Sequence, residues 1–387
     1  MIQLKRIITI VAAFILILPL QALADGALPE EKGNLTTGTY FFIAFGVLLL
    51  VFATAYGFQK WRLTALRTIQ GTKGRTQRNK IDFRVKTLKW GGILSAIGLI
   101  LTIGINLETA LDRRGQISLD HIHGIGYSQD GKRLLFAAHD GIKILSEGRW
   151  SIGPGGKHDF MGFSMVDDGF YGSGHPAIGS GLKEPFGIIH SLDDGKTIEP
   201  LAFIGQIDFH LMTAGYRAHT LYVYNPQPLP ELQETGLYFS TDDGKTWSKS
   251  EEQGLAGQWL VMAAHPDEPA IVAIGTMNGL YISRDYGKTF QNLLGGKQVT
   301  SLAFHSKDTL YAGTIGEKPE LVEMKIDGTE MKEKSLPPLT DDAVMQIAVN
   351  PQNEQELTIA TYNRQAYTSF DQGNKWQQIL FNGTTKQ

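Results

Sequence analysis

No cysteine occurs among the 387 residues. That excludes disulfides, thiolate metal centres and cysteine nucleophiles, and leaves packing as the source of stability. Excess positive charge is missing from the larger part of the chain: residues 90–387 carry 23 Lys+Arg against 35 Asp+Glu, a balance of −12. Nucleic acid is therefore excluded as a partner of that part. Arginine is scarce beyond residue 116, reduced to Arg133, Arg149, Arg217, Arg284 and Arg364. Histidine is absent before residue 121, and eight of the ten histidines then fall between residues 121 and 219. Glycine is plentiful at 44 residues and aromatics reach 10%, a composition suited to a turn-rich all-β protein.

The N-terminal third has a different character. Lys5 and Arg6 precede the apolar run Ile7–Leu20, and "ALAD" follows with Ala22 and Ala24 at the small-residue positions that a signal peptidase reads. Residues 1–24 thus read as a signal peptide, and 25–38 as a short extracytoplasmic segment. Two apolar stretches, 39–58 and 90–107, each have the length of a transmembrane helix. Between them, residues 59–89 hold ten basic residues and a single acid, Asp82, and read as a cytoplasmic loop by the positive-inside rule. Everything after Leu107 is then outside, whether or not the leader is cleaved. The expected location is the cell membrane, multi-pass, with the lipid bilayer as a partner, a linker at 108–116 and an extracytoplasmic domain at 117–387.

That last domain is repetitive. "SLDDGKT" (Ser191–Thr197), "STDDGKTW" (Ser240–Trp247), "SRDYGKTF" (Ser283–Phe290) and "SFDQGNKW" (Ser369–Trp376) share one pattern, with serines 49, 43 and 86 residues apart. The last interval is twice the one before, so a worn copy belongs at "KIDGT", with Asp327 and Gly328. Another sits at "SEGRW", Ser146–Trp150. Six units of roughly 45 residues follow, the period of propeller blades. Within each unit a short apolar strand ends at the Ser, the Asp can bond backbone amides of the turn, and the Gly supplies a positive φ. The closing aromatic opens the next strand.

S-x-D-x-G-x-T-W resembles the Asp-box, or BNR repeat, of sialidases, sortilin-type receptors, xyloglucanases and photosystem II assembly propellers. The resemblance covers 117–387 and implies a six-bladed β-propeller whose boxes are structural and lie away from the ligand mouth. "HIHG", "HDG" and "SGHP" are similar to segments of bacterial secreted or membrane-tethered glycosyl hydrolase-like propellers. Sialidase chemistry is not expected here. It needs three convergent arginines, and of the five available Arg284 lies inside a box.

The first strand of each unit should line the channel: "HIHG" (121–124), "DFMG" (159–162), "DFHL" (208–211), "WLVM" (259–262), "VTSL" (299–302) and "VMQI" (344–347). Strict alternation puts Ile122, Phe160, Phe209, Leu260, Thr300 and Met345 on the packed side. Ionisable groups then face the channel only from the first three units. With the ends of the second strands added, His121, His123, His139, Asp159, His175, Asp208 and His210 should converge at the mouth opposite the boxes. His158 should point elsewhere.

Three uses of that cluster stay open. His121, His123, His139, His175, Asp208 and His210 are candidate ligands for a divalent transition metal, namely zinc, copper, nickel, iron or manganese. Imidazole acid–base chemistry on a glycan is a second use. The third is a hydrogen-bonded polar plug. The expected function is binding of a ligand, a membrane or cell-surface protein, or a glycan. Hydrolysis of envelope or extracellular glycans is the alternative.

Overall fold

The computed structural model describes residues 37–66, 71–112 and 116–385. The signal peptide expected at 1–24 lies outside them. The chain divides into two compact units, Met1–Gly115 and Gln116–Gln387.

Among the described residues, the first unit is a pair of helices, α1 (Thr37–Ala65) and α2 (Thr72–Asp112). Both contain stretches long and apolar enough to cross a membrane, Phe41–Ala65 and Gly74–Ile103, by length and composition. They pack antiparallel. A Cβ on Gly91 would meet the Phe52 ring at 2.5 Å, and one on Gly98 would meet the Phe45 ring at 2.5 Å. Two glycines seven residues apart thus receive two phenylalanines seven residues apart, the close approach that small residues permit between apolar helices. Within the connection expected at 59–89, α1 runs on to Ala65 and α2 begins at Thr72. The linker expected at 108–116 is likewise helical as far as Asp112. Charge marks the end of an apolar span, not of a helix: no proline interrupts 37–112, and Lys, Arg, Gln and Leu are good helix formers. Gly71, at φ +104°, sits at the break where only glycine turns freely.

The second unit is an all-β propeller of six antiparallel sheets. Blade 1 comprises β1 (Ile122–Tyr127), β2 (Arg133–Ala138), β3 (Gly141–Ser146) and β4 (Arg149–Ile152). Blade 2 comprises β5 (Asp159–Val166), β6 (Gly169–His175), β7 (Ile188–Ser191) and β8 (Glu199–Ala202). In blade 3 the strands are β9 (Met212–Ala214), β10 (Leu221–Asn225), β11 (Gly236–Ser240) and β12 (Ser248–Lys249). Blade 4 has β13 (Trp259–Ala264), β14 (Val272–Thr276), β15 (Gly279–Ser283) and β16 (Gln291–Gly295). Blade 5 has β17 (Gln298–Phe304), β18 (Thr309–Ile315), β19 (Pro319–Lys325) and β20 (Met331–Lys334). Blade 6 adds a fifth strand, with β21 (Val344–Asn350), β22 (Asn353–Thr361), β23 (Ala366–Ser369), β24 (Gln377–Phe381) and β25 (Thr384–Thr385).

The ring is closed. Inner strands pack in the order β1, β5, β9, β13, β17, β21 and back to β1. The two ends of the domain are clasped by a bridge between Ser118 and Thr384, with Leu119 N donating to Gly383 O at 2.7 Å. Apolar residues of each sheet are buried against the neighbouring blade. Phe160, Phe163 and Phe170 of blade 2 pack on Leu135, Ala137 and Ile144 of blade 1. Tyr171 of blade 2 packs with Phe209, Leu221 and Val223 of blade 3. Burying a side chain of this size contributes about 2–3 kcal/mol.

The repeated turns join the third and fourth strands and carry one hydrogen-bond set. In blade 3, Ser240 Oγ donates to Asp242 Oδ1 (2.8 Å) and accepts from Gly244 N (2.9 Å). Asp242 accepts from Thr246 N (2.9 Å) and Thr246 Oγ1 (2.7 Å). The turns at Ser191, Ser283 and Ser369 repeat the Ser-to-Asp, Gly-to-Ser and amide-to-Asp bonds. Positive φ is needed at two successive residues rather than at glycine alone, as in Asp243 (57°) and Gly244 (77°). Bonded twice by Thr246, then by Ser240, the half-buried Asp242 carboxyl is lowered to about 2. These turns satisfy themselves.

A histidine and aspartate cluster at the channel mouth

The opposite ends of the blades present the ionisable residues. Asp159 opens β5 and is paired with His175 at the end of β6. Gly174 allows that pairing: its φ is +145°, and a Cβ there would stand 2.0 Å from Asp159 O. In blade 1, Ile122 pairs with Ala138 and Gly124 with Ala137, so His123 is the extra residue of a β-bulge. The same irregularity recurs in β5, β13, β17 and β21. A bulge re-aims the residue it inserts, and the strict alternation expected along these strands breaks there. Leu260 and Met345, expected on the packed side, are only half-buried, whereas Val299, Ser301 and Val344, expected to face the channel, are buried.

Blade 3 departs further. The expected inner strand at "DFHL" is not a strand, because β9 starts at Met212. Residues 207–211 are held instead by Phe209, whose ring is fully buried and whose N donates to Ser173 Oγ at 2.7 Å. Asp208 and His210 flank that anchor and both turn outward.

The seven expected residues fall into two adjoining groups. In the first, His139 Nδ1 lies 2.7 Å from Asp159 Oδ1, and His139 Nε2 lies 3.3 Å from His123 Nε2. The His121 ring meets the His139 ring edge-on at 4.9 Å between centroids. In the second, Asp208 Oδ2 lies 2.7 Å from His210 Nε2 and 3.5 Å from His175 Nε2. His175 Nδ1 pairs with Glu184. The groups feel each other, since His210 acts electrostatically on His123, and Asp159 on His175. Burial and then the neighbouring His139 push the His123 imidazole down to about 4, so it is neutral at pH 7. Burial opposes protonation of His175, but the hydrogen bond and charge of Glu184, with Asp208 and Asp159, raise it overall.

Sequence reasoning missed Glu184, which lies in the long β6–β7 connection, and the pair Asp120–Arg364 (3.1 Å) beside His121. No local pattern distinguishes these residues. Asp140, next to His139 in "AAHDG", turns to the buried Lys143 (2.6 Å) instead. His158 points elsewhere, as expected: it is buried against Phe160 and Phe186, and Ala177 N donates to its Nδ1 at 3.0 Å.

A cavity of about 630 Å³ runs inward from His123 and His210 along the inner strands, reaching Lys307, Asp308 and Glu354 at the far end. A second cavity of about 1110 Å³ opens beside the cluster and is lined by His121, His123, His210, Gln346, Tyr362 and Arg364, among others. His123 and His210 belong to both.

In the first group the donor chemistry is constrained. An ionised carboxylate only accepts, so His139 Nδ1 donates to Asp159, and the neutral ring in that tautomer presents the lone pair of its Nε2. That lone pair faces His123 Nε2. Tetrahedral zinc with Zn–N near 2.0–2.1 Å separates two imidazole nitrogens by about 3.3–3.4 Å, matching the observed spacing. Carboxylate to histidine to metal is the usual orientation of such a ligand.

Among solved structures, a Niastella koreensis GH74 enzyme aligns with 68% of this chain and 46% of its own, at 15% identity and a TM-score of 0.47. YCF48 bound to a D1 peptide aligns with 57% of this chain and 81% of its own, at 14% identity and a TM-score of 0.35. The tricorn protease aligns with 66% of this chain and 26% of its own, at 13% identity and a TM-score of 0.46. The chain thus spans less than half the length of the GH74 enzyme it aligns with. No family model and no curated protein matches the sequence.

Proposed function

We propose that this chain is a membrane-tethered, extracytoplasmic binding propeller of the Asp-box type, whose mouth holds a divalent transition metal. His123 and His139 are the two nitrogen ligands. Asp159 orients His139, and the remaining positions are left to water, a neighbouring imidazole or a bound ligand. The observation that carries the reading is the line Asp159 Oδ1, His139 Nδ1, His139 Nε2, His123 Nε2, with its 2.7 and 3.3 Å spacings. A cation there takes the place of the single proton that the two facing Nε2 atoms can share. It also leaves open positions toward the cavities for a ligand or partner side chain.

Glycan hydrolysis fits the site less well. Each mouth carboxylate, Asp159, Asp208 and Glu184, already pairs with an imidazole. A glycoside hydrolase needs one carboxyl free to give a proton and another free to attack or activate water. These carboxylates are better suited to orienting histidines.

Elemental analysis of the full-length protein tests the site. His123→Ala/His139→Ala is expected to hold about one equivalent of metal less than the wild type; equal metal content in the two proteins overturns the reading. Sidedness has its own test, helped by the absence of cysteine from the chain. Single cysteines at the exposed Glu317 and Lys80 are expected to react with an impermeant maleimide on intact cells at 317 and not at 80. The reverse pattern would place the propeller inside.

A further inference from the structure

A second His/carboxylate cluster lies on the face that carries the repeated turns, outside the mouth. Asp167 and Asp168 form the β5–β6 turn, His190 projects from β7, and His219 comes from the β9–β10 turn of the next blade. His219 Nε2 stands 2.7 Å from Asp167 Oδ1 and 3.9 Å from Asp168 Oδ1. His190 Nε2 stands 3.2 Å from Asp168 Oδ1. Asp167, Asp168 and His219 each offer a ligand atom within 4.8 Å of the others.

The surrounding residues fix both rings. Tyr171, itself buried, stacks on His190 at 4.4 Å and 16° and meets His219 edge-on at 6.0 Å. Its hydroxyl donates to Asp243 Oδ1 at 2.7 Å and lies 3.4 Å from His219 Nδ1. A hydroxyl has one proton to give, so toward His219 Nδ1 it can only accept, while Asp167 can only accept from His219 Nε2; a metal ion held by the carboxylates would take the place of that Nε2 proton. The Asp167 backbone N donates to Tyr216 O at 2.9 Å, tying the two turns together.

Independent of that geometry, His190 Nε2 is a buried atom with no hydrogen bond among the described residues. Asp168 Oδ1, although 3.2 Å away, is out of line for one. A buried ring nitrogen left without a hydrogen bond beside a carboxylate is costly, and a cation bound to both would satisfy it. We propose that Asp167, Asp168, His190 and His219 form a second divalent transition-metal site that clips blade 2 to blade 3. Two imidazoles with two carboxylates suit zinc, manganese, iron, cobalt or nickel, and disfavour the all-oxygen preference of calcium and magnesium. Metal bound there links two turns distant in sequence and adds to the stability of the folded ring.

The test uses full-length protein stripped with a chelator and reloaded with zinc by dialysis, with metal counted by elemental analysis. The mouth variant His123→Ala/His139→Ala is expected to keep about one equivalent and to gain thermal stability when zinc is added. Adding Asp168→Asn/His219→Gln is expected to remove that equivalent and abolish the thermal shift. Zinc-free protein in the mouth variant, or zinc that persists after the second pair of changes, overturns the proposal. Should the combined variant fail to fold, His190→Gln in the mouth-variant background is read instead: a tenfold or greater loss of zinc affinity supports the site, and unchanged affinity sinks it. If the mouth holds no metal, wild type keeps one equivalent that is indifferent to His123 and sensitive to His219, so the two failures are distinguishable.

Discussion

The two faces of the propeller contrast sharply. On one, blades 2, 3, 4 and 6 carry the same serine, aspartate and glycine turn with the same bonds. On the other, blades 1 to 3 alone bring histidines and aspartates together, and each blade does so differently. Repetition marks a turn that satisfies its own backbone wherever it occurs. Departure from it at the mouth is local: a histidine at the bulge of blade 1, a glycine at 174, an inner strand that starts late.

The comparison breaks most severely if the two faces depend on one core. Phe209 anchors the segment carrying Asp208 and His210, and Phe209→Ala is expected to cost about 3–5 kcal/mol in urea unfolding. It should also disorder the mouth while leaving the turns of blades 4 and 6 intact. Ser240→Ala removes the acceptor of a buried amide and is expected to cost about 1–3 kcal/mol, with Ser369→Ala giving a similar loss and neither changing metal content. A difference of several kcal/mol between them would deny that the turns are equivalent.

At the mouth the order reverses. Asp159→Asn is expected to weaken metal binding about 10- to 100-fold and to change the stability of metal-free protein by less than about 1 kcal/mol. A large stability loss with unaltered affinity would make the cluster a structural plug.

A pH scan separates the faces again. Asp242 is lowered from 3.8 to about 2 by its bonds to Thr246 and Ser240. Its contribution is therefore complete above pH 3.8 and is lost as pH falls toward 2, because the unfolded carboxyl takes up its proton first. Asp242→Asn should flatten stability over that window and leave the neutral range alone. The smallest effect is expected from the exposed pair Lys318–Glu333, where Lys318→Ala should leave the unfolding midpoint unmoved.

The propeller was legible in the chain because its signals are short-range and repeated. A turn chemistry of Ser, Asp and Gly recurs every 43 to 49 residues where copies are adjacent. The mouth was legible in composition, and all seven expected residues are there, but not in wiring. Strand alternation has no means of announcing the bulge at His123, and "DFHL" looks like the other inner strands until its pairing with β10 is lost. The Pro-rich stretch Asn225–Glu234 looks like a free rim insertion, yet Leu232 is fully buried and Asn225 Nδ2 donates to Leu232 O and Glu234 O. Glu184, His190 and His219 carried no local signal at all.

The amino-acid order by itself determined six similar units, their turns and two helices apolar enough for a membrane. Those properties follow from periodicity and from bonds made within about five residues. Tertiary structure decided which nitrogen faces which oxygen. His139 meets Asp159 and His219 meets Asp167 only because neighbouring blades are set side by side, and His175 meets Glu184 only because the long β6–β7 connection folds back on it; a shift of one residue in an inner strand would turn its side chains elsewhere.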